Sequence, residues 1–134
     1  MKVKFILFNL VALAIAVILI SASFQQKPWS IPAKYKTLKN PVKSSSTSIT
    51  AGKRLYDLHC KSCHGSTGKG DGVKAKTLKT RMTDLSSSGV QAALDGEIYY
   101  KAIIGRDEAP NFEKKIPDET DRWNVVNYVR SLKK

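Results

Sequence analysis

From Phe5 to Ile20 the chain is apolar except for Asn9, with no polar face that would make an amphipathic stripe. From Gln25 to Thr47 neither helical nor strand periodicity holds, and Pro28, Pro32 and Pro41 interrupt a lysine- and serine-rich stretch. Helical spacing then begins. Ile49, Leu55, Tyr56 and Leu58 form a stripe that predicts a helix from Ser48 to about Lys61, with Ser48 as its cap. Gly65 to Gly72 carries four glycines and predicts a loop, and Val73 to Lys79 a short helix. Asp95 is placed to cap a second clear helix running to Ile104, with Ile98, Ala102 and Ile103 inward and Gly105 at its end. A third runs from Pro117 or Asp118 to Leu132 on the spacing Trp123, Val126, Val129, Leu132. Its acidic start and basic end (Arg130, Lys133, Lys134) suit the helix dipole. Nothing alternates with period two, so the fold class is all-α.

The apolar run changes where the rest of the chain belongs. Lys2 and Lys4 precede it and the small residues Ser21-Ala22-Ser23 follow, the arrangement of a secretory signal peptide. Residues 5–22 are also just long enough to span hydrocarbon. Both readings, cleaved signal and uncleaved membrane anchor, send the remainder out of the cytoplasm, to the periplasm or the periplasmic side of the cytoplasmic membrane. No Cys follows the run, which argues against lipoprotein-type attachment. The expected organisation is therefore residues 1–23 as signal or anchor, 24–47 as a flexible linker, and 48–134 as the folded domain. Trp29 and Tyr35 in the linker suit either a membrane interface or loose packing on their own domain.

A folded unit of that size has a marginal core unless something else helps to fill or brace it. Composition is that of a globular chain, 42% hydrophobic and 25% charged, which excludes a wholly disordered or collagen-like protein. Lys+Arg is 23 against Asp+Glu 11, a net charge of +12. Such an excess suits an anionic partner. Nucleic acid is disfavoured by the export signal and by the lack of a recognised binding module.

There are two cysteines, Cys60 and Cys63, within Cys60-Lys61-Ser62-Cys63-His64. A disulfide between them would close a very small loop and stabilise little. The five residues match the attachment signature of c-type haem. Two thiols three apart on a helical turn point the same way and can each add to a vinyl group on one porphyrin edge. The following imidazole can then bind iron axially. A redox dithiol would want a βαβ setting, which is absent. Zinc could recruit His59, Cys60, Cys63 and His64, although adjacent residues on a helix diverge by about 100°. The glycine run after His64 is not a phosphate loop, because Lys69 is followed by Gly70.

Beyond the motif, residues 48–134 resemble a class I monohaem c-type cytochrome of bacterial type. Gly52 and Tyr56 precede Cys60 at the family's spacing. The run His64-Gly65-Ser66-Thr67-Gly68-Lys69-Gly70-Asp71-Gly72, the turn Thr83-Asp84-Leu85 and the segment Asp121-Arg122-Trp123-Asn124-Val125-Val126 follow in the family's order. The resemblance implies a cytochrome c fold, three main helices around one covalent haem c. Cys60 and Cys63 would attach it and His64 would ligate its iron. Gly52 and Tyr56 would pack against Tyr128 of the last helix. It also implies electron transfer outside the cytoplasm to acidic redox partner proteins of a respiratory chain, not an enzymatic activity.

One departure matters. The family places an axial Met before a proline between the last two helices; here Ala109 precedes Pro110. A methyl group cannot bind iron, so the sixth ligand is open among Met82, Lys114, Lys115, His59 and water. The alternative function is an open-site haem protein binding CO, NO or peroxide, with weak peroxidase-like activity.

Overall fold

In the computed structural model the described residues are 28–134, together with the isolated Ile6. The expected signal or anchor therefore lies outside the described residues. Among the described residues no helix is long and apolar enough to cross a membrane. The order is α1 (Ala33–Thr37), α2 (Ser46–His59), α3 (Lys61–His64), a 3-10 turn (Ala75–Thr77), α4 (Ser88–Ala92), α5 (Asp95–Tyr99), a π-helical turn (Tyr100–Ile104) and α6 (Glu119–Ser131). The described residues are helical with no named strand, in agreement with the all-α expectation.

The long helices sit where apolar spacing put them, with their ends adjusted by hydrogen bonding. The cap of α2 is Ser45, not Ser48. Its hydroxyl accepts from the Ser48 N–H at 3.1 Å, and the Ser45 N–H donates back to the Ser48 hydroxyl at 2.9 Å. That reciprocal pair satisfies two orphan donors and starts the helix two residues early. The second expected helix begins at Asp95, but Asp95 is not its cap. Its carboxylate accepts from Arg130 Nε at 2.9 Å and Nη2 at 2.7 Å. Arg130 therefore ties α6 to the start of α5 rather than only answering the α6 dipole, and it also reaches the carbonyls of Gln91 and Ala93. The helix expected to reach Ile104 changes to π geometry from Tyr100 onward. Asp118 caps α6 through the Asp121 N–H at 3.1 Å. The lysine-rich stretch after the glycine loop is only a 3-10 turn.

The core lies where α2 and α5 pack on α6. Trp123, Val125, Val126, Tyr128 and Val129 are buried there with Ile98, Tyr99, Ile103 and Ile116. Fully burying such a side chain contributes about 1.5–3 kcal/mol. Burial on α6 is continuous from Trp123 to Val129 and includes Asn124 and Asn127, a wider face than the apolar spacing indicated.

The coverage of Asn127 comes from a segment expected to be a flexible tether. Residues 28–47 lie against the helices. Tyr35 on α1 meets the Tyr100 ring at 4.7 Å between centroids and the Tyr99 ring at 6.3 Å, while Trp29 meets Tyr100 edge-on at 6.2 Å. A side chain at Gly96 would collide with the Tyr35 carbonyl, so the absence of a Cβ lets α1 lie directly on α5. Asn127 is buried because this segment satisfies it: it donates to the Val42 carbonyl and accepts from Asn40 Nδ2 at 2.8 Å. Paired aromatic rings and satisfied amides offset the entropy of ordering a Pro- and Ser-rich chain.

Candidate functional site

The Cys60–His64 turn is held from two sides. On one side stands the crossing of α2 and α6. A Cβ at Gly52 would lie 1.9 Å from the Asn124 carbonyl oxygen, so only a glycine permits this approach. One turn on, the Tyr56 and Tyr128 rings fill the crossing at 4.9 Å and 55°. The packing of Gly52 and Tyr56 against the last helix is thus as the resemblance implied. Tyr56 reaches further: its hydroxyl donates to the Gly65 carbonyl at 2.7 Å, tying the crossing to the end of the turn. Burial raises the Tyr56 phenol well above its ordinary value, so it stays a donor at physiological pH.

On the other side the glycine loop folds back over the turn. The N–H groups of Gly70, Gly72 and Lys74 donate to the carbonyls of His64, Cys63 and Ser62 at 2.8, 3.1 and 2.8 Å. The turn's exposed backbone acceptors are consumed, which leaves its side chains to face elsewhere. Further on, Leu85 N–H bonds the Gly68 carbonyl, and Asp84 caps its own turn through Ser86, which lowers the Asp84 carboxyl's pKa.

Cys60 and Cys63 are both free thiols. Cys60 belongs to the break between α2 and α3, and Cys63 and His64 lie on α3. Burial, and then the neighbouring Cys63, push the Cys60 thiol up to about 12. The His64 imidazole has its pKa lowered, first by burial; a backbone acceptor at Thr83 opposes that shift. His64 Nδ1 is a buried nitrogen with no hydrogen-bond partner. A desolvated Cys60 thiol and a desolvated imidazole on one turn are costly in isolation. They fit a group that bonds sulfur covalently and offers a metal to nitrogen, as a porphyrin iron does.

The other candidates do not converge on this turn. The His59 ring packs against Phe112 at 5.8 Å. Among the described residues no three His, Cys, Asp or Glu side chains are grouped to hold a bare metal ion. Met82 has its backbone against Gly70, next in sequence to Thr83, whose backbone approaches the His64 imidazole. Lys114 and Lys115 are exposed, with Lys115 Nζ over the Phe112 ring at 5.6 Å. Ala109 is half-buried in a loop whose Arg106 and Ala109 form an antiparallel bridge. Sequence reasoning missed the role of Tyr56 as a hydrogen-bond donor. The spacing of Tyr56 from Cys60 was visible, but the acceptor, a carbonyl, leaves no trace in residue type.

Comparison with known proteins agrees with this geometry. The family described as Cytochrome c matches residues 49–133. A search of the curated proteins found no match. Among solved structures, the Kuenenia stuttgartiensis reducing HAO-like protein complex Kustc0457/Kustc0458 is similar, with a TM-score of 0.62 and 25% sequence identity. The likeness covers 85% of this chain and 54% of that one, so this chain spans about half the length of the structure it resembles. The chain belongs to the cytochrome c family, which implies a haem-binding electron-transfer protein with covalently attached haem c.

Proposed function

We propose, with membership of the cytochrome c family as the premise, that this chain is a monohaem electron carrier working outside the cytoplasm. Cys60 and Cys63 hold one haem c through thioether bonds, and His64 supplies an axial nitrogen. The observation that carries this reading is the single turn that presents two free thiols three apart and, next to them on α3, the His64 imidazole. The haem, when bound, supplies the one-electron couple. The chain's own work is positional. The bonds from Gly70, Gly72 and Lys74 fix the turn, Tyr56 braces its end, and the backbone near Thr83 orients the imidazole from behind.

The surface charge supports a partner of opposite sign. With 23 Lys+Arg against 11 Asp+Glu, the carrier is steered toward acidic redox proteins of a respiratory chain. Residues 1–23 support export, with the body left in the periplasm or tethered to the membrane through residues 5–22. The role is that of a carrier, not an enzyme.

The test is mass spectrometry of protein matured in a host that makes c-type linkages. The expected mass is polypeptide plus one haem, with Cys63→Ala reducing covalent attachment. Bare polypeptide in the wild type would overturn the proposal. A second reading is favoured by Ala109, which stands where the family's axial Met is expected: an open-site haem protein. Optical spectra of the same sample decide between them. A low-spin spectrum indifferent to carbon monoxide supports the closed carrier. A high-spin spectrum that shifts with the gas supports the open site.

A further inference from the structure

The residues before the family-matched region 49–133 do more than connect. Arg106 opens the loop 105–110, directly after the π-helical turn, and it is gripped by the arm that leads into the folded body. Its guanidinium lies over the Trp29 ring, Cζ 4.1 Å from the centroid. Its Nη1 donates to the Pro28 carbonyl at 2.7 Å. A planar guanidinium that stacks and donates at once fixes both the height and the rotation of the arm. Trp29 is itself seated against Tyr100.

The same loop is gripped at its far end. Glu108 accepts from the backbone N–H of Lys79 at 3.1 Å and of Thr80 at 2.9 Å. These donors lie just before Met82 and Thr83, the stretch that backs the His64 imidazole. Between the two grips sits Asp107 at φ +50°, the one residue other than glycine with positive φ among the described residues. A left-handed Asp is a mildly strained conformer that persists where its surroundings hold it. Here Ala109 N–H closes the loop onto the Arg106 carbonyl at 2.8 Å.

We propose that residues 28–29 are a latch on the loop 105–110. Seated on Arg106, the arm holds the strained loop closed, and through Glu108 the closed loop holds residues 79–80. Released, the arm lets the loop relax and frees the chain that leads to the back of His64. The latch couples residues 28–29 to the chain behind His64, so a pull or a docked partner at residues 28–29 is felt at that imidazole. This last consequence rests on the haem reading above; the latch itself does not.

Amide hydrogen exchange on the full-chain holoprotein tests it. In Trp29→Ala the amides of Lys79, Thr80 and Ala109 should exchange about tenfold faster than in the wild type, as loss of one stacked, hydrogen-bonded contact lowers the local opening free energy. Amides in the middle of α6, such as Val126, should not change. Arg106→Lys keeps the charge without the flat stack and should give a smaller rise at the same three amides. Trp29→Phe, which retains a ring, should stay close to the wild type. Unchanged rates at Lys79, Thr80 and Ala109 in Trp29→Ala would overturn the latch, as would a rise shared equally with Val126. Haem content is measured on the same samples by mass. A wild type without haem sinks the functional reading and leaves the latch to be judged by exchange.

Discussion

Two contacts differ in their physics: the helix crossing that braces the Cys60–His64 turn, and the junction of the arm with the loop 105–110. The crossing of α2 and α6 is dry: Tyr56 is 1% exposed and Tyr128 6%, and bare backbone at Gly52 touches bare backbone at Asn124. The junction of the arm with the loop 105–110 is wet, with the Arg106 side chain 25% exposed and Glu108 on the surface. Close apolar packing resists salt and pH and is lost only when the helices separate. Charge-assisted contacts in water are individually weak and can open one at a time. The crossing therefore carries the fold, and the junction is the part that can move while the fold persists.

The largest effect should come from breaking the crossing. Gly52→Val puts branched carbon into the Asn124 carbonyl, and the helices must part. A loss of about 3 kcal/mol, at the upper end for an overpacked core, is expected in urea unfolding of the holoprotein. An unchanged midpoint would show that the crossing tolerates side-chain volume and is not the brace. Tyr56→Phe is gentler, because the ring stays against Tyr128 and only the bond to the Gly65 carbonyl goes. About 1–1.5 kcal/mol should be lost, with thermal unfolding as the readout. A change at that position without loss of stability would place the whole contribution of Tyr56 in its ring.

The smallest effect belongs to the junction and appears as pH dependence. The N–H groups of Lys79 and Thr80 hold the Glu108 carboxyl below its ordinary value of 4.5. The unfolded chain thus takes up this proton before the folded one does. The grip is complete above about pH 4.5 and is lost as the pH falls through the lower folded value. Exchange at Lys79 and Thr80, corrected for its intrinsic pH dependence, should accelerate below pH 4.5 in the wild type. In Glu108→Gln it should be faster at neutral pH and lack that step. A wild-type profile without the step would remove the carboxylate from the junction and sharpen the contrast with the crossing.

How much was legible in advance differs between the same two regions. Helix α6 could be read because its buried side recurs at helical spacing, and α2 because Ile49, Leu55 and Tyr56 do the same. The ends of the helices were less legible, since Ser45 and Ser48 are equally good capping residues and only the reciprocal bond between them selects the start. The seat of the arm was not legible at all. Its contacts pair Tyr35 with Tyr99 and Tyr100, Asn40 with Asn127, and Trp29 with Arg106, residues far apart in the chain that carry no shared periodicity.

The sequence by itself determined the helical class and the grouping of two thiols with an imidazole, because both follow from spacing within one turn or one helix. Tertiary structure alone decided which backbone groups close around that turn, that Asp95 serves Arg130 instead of its own helix, and that the N-terminal arm is seated on the loop bearing Ala109. Those outcomes depend on backbone carbonyls and N–H groups, which every residue shares, and on three-dimensional proximity, which no local pattern encodes.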